Sequence, residues 1–194
     1  MVRRAGVACV VVVALLAARA AEAEDAPPPC GPAVLVGGAF GLNGLGALPN
    51  PVLDFHAGVG WRWQRWMAAG LAAYSYSESE PLLAYWSIAR HDVELVGVTT
   101  FRPLPAYGLR VHGQLGIGAA LDQLHGVDPE KSRWAVTASF GAGAGWGPAA
   151  LTFRYVIPRG ELCEDGGRCF RAPAQFQLLL SLTFDLAALV RASR

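Results

Sequence analysis

Lysine is nearly absent from this chain. Of its 194 residues 16 are basic, and Lys131 is the one lysine among them. GC-rich coding produces such an arginine bias without any demand of chemistry. No basic stripe runs along any segment and the formal charge is only +1. That excludes a nucleic-acid partner, which needs clustered positive charge to displace counterions. A hydrophobic run of spanning length is also missing: the longest, Ala5 to Ala18, is well short of the ~20 residues a transmembrane helix requires. Beyond Pro32 no stretch repeats its apolar residues at helical period, which excludes a helical domain.

The short apolar run reads as a targeting segment. Arg3 and Arg4 precede it and Ala21-Glu22-Ala23 follows it, so residues 1–23 have the three parts of a secretory signal peptide with cleavage expected after Ala23. An uncleaved anchor is the rival reading. A lipoprotein is not expected, because Cys9 lies too early and Cys30 follows three prolines. Removal of residues 1–23 leaves 13 of the 16 basic and 14 of the 15 acidic residues. Residues 24–32 are then a proline-rich lead-in.

Export permits disulfides. Cys163 and Cys169 bracket CEDGGRC, a polar turn sequence, and are the disulfide candidates; Cys30 is left free or paired between molecules. A metal pair is disfavoured, since no histidine or second cysteine pair is near and the spacing is not that of a zinc knuckle. No metal and no cofactor are expected.

From residue 33 onward, apolar residues recur at every second position, punctuated by Gly, Pro, Asn and Asp, which is the signature of strands. Eight runs stand out: 33–42, 52–63, 66–76, 85–101, 107–121, 134–146, 149–157 and 174–186. The connections alternate in length. Gln64-Arg65, 102–106 and Gly147-Pro148 are short, whereas 43–51, 77–84, 122–133 and 158–173 are long. Such alternation suits an antiparallel up-and-down barrel with two unlike rims. The expected organisation is a barrel over 33–186 and a tail over 187–194.

Periodicity does not say which face is inside; three features do. One phase is apolar or small almost throughout. The other holds Asp54, His56, Arg90, Asp92, Glu94, Arg110, His112, Gln114 and Arg154 near mid-strand, whereas a soluble barrel puts its charges outside, usually with many Lys and Glu among them. In a membrane barrel these groups face a polar lumen and pair there. Most runs also reach the nine to eleven residues with which a tilted strand crosses a bilayer. Finally, aromatics sort by height. Trp61, Trp63, Trp66 and Trp146 lie by the short turns and Trp86 and Trp134 by the long loops, as two interfacial girdles would. An open edge in lipid would strand unpaired amides, so the sheet must close.

With eight strands, short turns, long loops and aromatic belts, residues 33–186 resemble the small eight-stranded outer-membrane barrels of Gram-negative bacteria, the OmpA-like and OmpX-like proteins. The resemblance is one of architecture. It implies an all-β, eight-stranded antiparallel transmembrane barrel of the cell outer membrane, with a periplasmic N-terminus and the long loops outside. It also implies contact with membrane lipid and lipopolysaccharide, insertion by the outer-membrane assembly machinery, and a monomer. Members end on an aromatic that serves assembly; Phe184 is the nearest counterpart, followed by DLAALVRASR. No further domain is expected after it.

The segment SFGAGAGWGPAALTFRY, 139–155, invites another reading. Gly145-Trp146-Gly147-Pro148-Ala149-Ala150 spells a weak G-x-G-x-x-A, yet a phosphate loop needs a helix behind it, and Leu151 to Tyr155 alternates as a strand. Gly141, Gly143 and Gly145 are therefore expected to face the lumen, with Gly141 opposite Arg154. Taking 102–106 as a hinge pairs Phe101 with Tyr107, and so Glu94 with Gln114. Asp54, Asp92, Glu94, Arg110, His112 and Arg154 are expected to form one ion-pair network.

The resulting expectation is a non-enzymatic barrel with a structural or surface-interaction role through its outer loops. The alternatives are a narrow, porin-like channel, a soluble lipocalin-like carrier and a lipid-A-modifying enzyme. For the enzyme, the four histidines lack a His-x-Ser pattern, and outward-phased His91 has no matching serine.

Overall fold

In a computed structural model the chain is described over residues 30–44, 50–79, 87–104, 107–125, 131–159, 161–163, 169–171 and 174–192. The expected signal peptide over 1–23, the expected lead-in as far as residue 29, Trp86 and the last two residues lie outside these. Eight strands follow in order: β1 (Gly31–Asn43), β2 (Asn50–Trp63), β3 (Trp66–Ser79), β4 (Ser87–Leu104), β5 (Leu109–His125), β6 (Lys131–Trp146), β7 (Ala149–Arg159) and, after a small hairpin of β8 (Glu161–Cys163) and β9 (Cys169–Arg171), β10 (Gln175–Asp185). Each pairs antiparallel with its neighbour, and β1 pairs with β10 to close the barrel. No amide row is left as an edge for lipid to meet.

Register partners starting at Ala33 run through Gly60, Ala69, Val98, Gln114, Gly141, Arg154 and Gln177, and return to β1 at Asn43, ten residues further along. A shear of ten over eight strands tilts them by ~40° to the axis. The tilt lets side chains on strands that are not neighbours meet across the lumen.

Pleating puts alternate residues on opposite faces, and the apolar row is outside. Among the described residues thirty large hydrophobic ones are exposed, Leu115 at 72% and Leu95 at 70% among them. No soluble domain leaves so continuous an apolar surface in water. Trp61, Trp63, Trp66 and Trp146 are exposed by the short turns and Trp134 towards the other rim. Trp66 packs on Phe101 at 4.6 Å between ring centroids, and Phe140, Tyr155 and Phe176 form a continuous contact on the opposite girdle.

Three expectations need correction. Phe101 pairs with Val111, not Tyr107, so Glu94 lies opposite Gly118 rather than Gln114. Pro103 cannot donate to the ladder, the register shifts between Phe101 and Leu104, and the chain turns through Gly108 at φ 63°. The lumen is not polar throughout: Ala33, Leu35, Ala69, Leu71, Ala73 and Val96 pack as an apolar cluster against Met67 and Val98. From Met67 to Ala73 the inward row of β3 is apolar, so β1, β3 and β4 have nothing there to pair; its hydroxyls, Ser75 and Ser77, come higher up, where Ser77 Oγ donates to Gln175 Oε1 at 3.4 Å. Lastly, the barrel ends at Asp185 and the tail begins as a helix, α1 (Leu186–Ala192). Asp185 caps it, its Oδ1 accepting from the amides of Ala187 at 2.9 Å and Ala188 at 3.2 Å. Two turns are too few for helical period to register in sequence.

Candidate functional site

The inward residues of β2, β4, β6, β7 and β10 converge on one arginine. Arg154 donates from Nη1 to Asp54 Oδ2 at 3.1 Å and from Nη2 to Glu94 Oε2. Ser139 Oγ donates to the same Glu94 oxygen at 2.8 Å. His56 bridges onward, with Nδ1 3.0 Å from Asp54 Oδ1 and Nε2 2.9 Å from Thr183 Oγ1. Arg154, Glu94 and Asp54 are only 3%, 2% and 6% exposed. A buried arginine between two carboxylates survives because each charge has a counter-charge at contact distance.

A second pair stands nearer the long-loop rim. Arg90 grips Asp122 in bidentate fashion, Nε to Oδ1 at 2.6 Å and Nη2 to Oδ2 at 3.0 Å. Beside it Thr137 Oγ1 donates to Asp92 Oδ1 at 2.8 Å. Towards the short turns Arg62 pairs with Asp185, so the residue that caps α1 also ties β2 to β10.

The single network expected from sequence is thus several. Asp54, His56, Glu94 and Arg154 come together, whereas Arg90 and Asp92 have partners of their own. Arg110 instead donates to the Pro148 carbonyl at 2.9 Å, and His112 Nε2 lies 3.0 Å from Thr152 Oγ1. Gln114 lines a cavity beside them. Sequence reasoning missed Asp122, Thr137, Ser139, Thr152 and Thr183. Asp122 falls in the expected connection 122–133, although it continues the inward phase of Arg110 and His112. Cys163 and Cys169 are register partners in the β8–β9 hairpin; their side chains lie outside those described. Cys30 is a free, exposed thiol.

The glycines of β6 make room for this chemistry. Gly141 is the register partner of Arg154 and Gly143 of Thr152. A Cβ at Gly141 would stand 2.6 Å from the Phe153 carbonyl oxygen and 3.2 Å from Gln114, and one at Gly143 would stand 2.6 Å from His112 Cε1. Since backbone cannot give way, Gly141→Leu is expected to cost at least the ~1–3 kcal/mol of an overpacked core and to lower the yield of folded barrel. Heat-modifiable migration on gels reads that yield. An undiminished yield and unchanged stability would place Gly141 on the other face.

A closed eight-stranded barrel with an apolar belt outside, two aromatic girdles and paired charges within is an integral outer-membrane β-barrel protein. Among the solved structures compared, one at a TM-score above 0.5 agrees on the fold. Neisserial surface protein A is 7% identical with a TM-score of 0.51, covering 82% of this chain and all of that one. The outer membrane enzyme PagL is 16% identical with a TM-score of 0.45, over 77% of this chain and 98% of that one. Ail, the attachment invasion locus protein of Yersinia pestis, is 13% identical with a TM-score of 0.45, over 81% of this chain and all of that one. No family model and no curated protein matches the sequence.

Proposed function

We propose that this outer-membrane barrel is non-enzymatic and acts structurally or through surface contacts, with the long connections outward and the short turns in the periplasm. The observation that supports this reading is the plug. Arg154, Glu94 and Asp54 span the lumen, and nearer the long-loop rim the buried Arg90–Asp122 pair of adjacent strands β4 and β5 adds its side chains to the filling. A lumen of eight strands is only wide enough for its own side chains, and here they are locked in ion pairs. What remains for function is the rim and the outer face.

Reconstituted in planar bilayers, the protein is expected to carry no steady current. A reproducible unitary conductance would overturn the plug. It would favour the second reading, a narrow channel, to which one observation belongs: a cavity of about 90 Å³ runs beside Asp54, His56, His112 and Arg154. Leu71 and Val96 line its apolar side, and the size and the polar groups of the other side suit a few waters.

A further inference from the structure

Cys30, Cys163 and Cys169 allow three pairings, and the fold leaves one. Cys30 precedes β1 at the short-turn rim, where Gly31 is the register partner of Arg62. The register row from Ala33 reaches β7 at Arg154 after six strand steps and climbs towards the long loops, since it returns to β1 at Asn43. Six steps of ~4.8 Å inclined at ~40° climb ~18 Å, and the rest of β7 to Arg159 adds ~13 Å. From Arg159 to Cys163 the chain can return at most ~14 Å. A disulfide needs Cα atoms within ~7 Å of each other, so Cys30 reaches neither Cys163 nor Cys169 of its own chain.

Cys163 and Cys169, by contrast, are register partners, the pair of β8 and β9 nearest their turn. Cα atoms so placed stand ~4.5–5.5 Å apart, inside the ~4.4–6.8 Å that a disulfide spans. Leu162 with Phe170 and Glu161 with Arg171 complete the ladder. These pairs form a sheet of their own, joined to no strand of the barrel. An isolated two-stranded hairpin is marginal in water, so β8 and β9 need a staple that backbone hydrogen bonds do not supply.

We propose that Cys163 and Cys169 form an intramolecular disulfide that staples the β8–β9 hairpin on the long-loop rim, while Cys30 stays a thiol at the other rim. The oxidant is an oxidised dithiol protein of the cell envelope. Both cysteines give up their protons and their sulfurs join; the oxidant's own S–S bond breaks, and it takes the two electrons and two protons as a dithiol. The proposal rests on the outer-membrane reading with the long connections outward, because export takes the chain through an oxidising compartment. It deepens that reading: a closed CEDGGRC ring gives the outer surface a fixed element to present.

The test uses barrel extracted from outer membranes without reductant, its free thiols first blocked with iodoacetamide. Trypsin cuts after Arg159, Arg168 and Arg171, so a disulfide leaves residues 160–168 and 169–171 as one linked peptide that reduction separates. Mass spectrometry is expected to find that linked peptide, with Cys30 alkylated. Both peptides alkylated without reduction, or either of them joined to the Cys30 peptide, would overturn the pairing. The staple itself is read on intact cells, with trypsin and a membrane-impermeant phosphine. Reduction, and equally Cys163→Ser with Cys169→Ser, is expected to speed cleavage at the hairpin about tenfold, because cleavage follows the population of the opened form. Equal rates would overturn the staple. A chain recovered outside the outer membrane with its peptides still linked would instead sink the membrane reading and leave the disulfide standing.

Discussion

Arg154→Leu is expected to remove about 3–5 kcal/mol from the stability of the barrel, because it leaves carboxylates buried without their counter-charge. Asp54 keeps His56 as a neighbour. Glu94 keeps only the hydroxyl of Ser139 on its Oε2, and its Oε1 has no protein partner among the described residues. Both acids are almost fully buried, so neither can turn to bulk water. Urea unfolding in lipid vesicles, followed by tryptophan fluorescence, measures the loss. Glu94→Gln combined with Arg154→Leu is the control: with the orphaned charge neutralised, part of the stability returns. The two changes therefore combine sub-additively, by up to ~3 kcal/mol of coupling. Simple additivity would mean that the two side chains do not share a pair.

That pair also marks the limit of what the chain announces. The faces were legible, because pleating converts a period of two into inside and outside without tertiary information. Asp54 and His56 against Phe55 and Ala57, or Arg154 against Phe153 and Tyr155, could be assigned directly. Local register was legible where a turn is tight: Gly147-Pro148 leaves no freedom, and Gly141 does stand opposite Arg154. It failed where two prolines crowd a connection, so that Glu94 moved from Gln114 to Gly118.

The meeting of Arg154 with Glu94 and Asp54 depends on something else. β7 does not pair with β4 or with β2, so those contacts cross the lumen. Which residues face one another there is set by the shear of the closed sheet, a property of all eight strands together. No single segment carries it. The apolar cluster around Leu71 was missed for a simpler reason. Attention to charge finds strands that have it, and the inward row of β3 is silent. His91 stood out in sequence as a histidine without a serine, and its neighbours Tyr74 and Tyr76 emerge only when β3 lies beside β4.

A membrane barrel requires the apolar row to face lipid, and Leu115 is the residue to ask. It lies in the belt on β5 and is 72% exposed. In a bilayer, Leu115→Arg is expected to destabilise the barrel by about 2–4 kcal/mol, the cost of a cation near the midplane of the lipid face. In a soluble barrel the same exposed position would accept arginine within about 0.5 kcal/mol. Reversible unfolding of wild type and Leu115→Arg in phospholipid vesicles decides between them. A loss of several kcal/mol is the predicted result, and a variant as stable as wild type would contradict the membrane barrel.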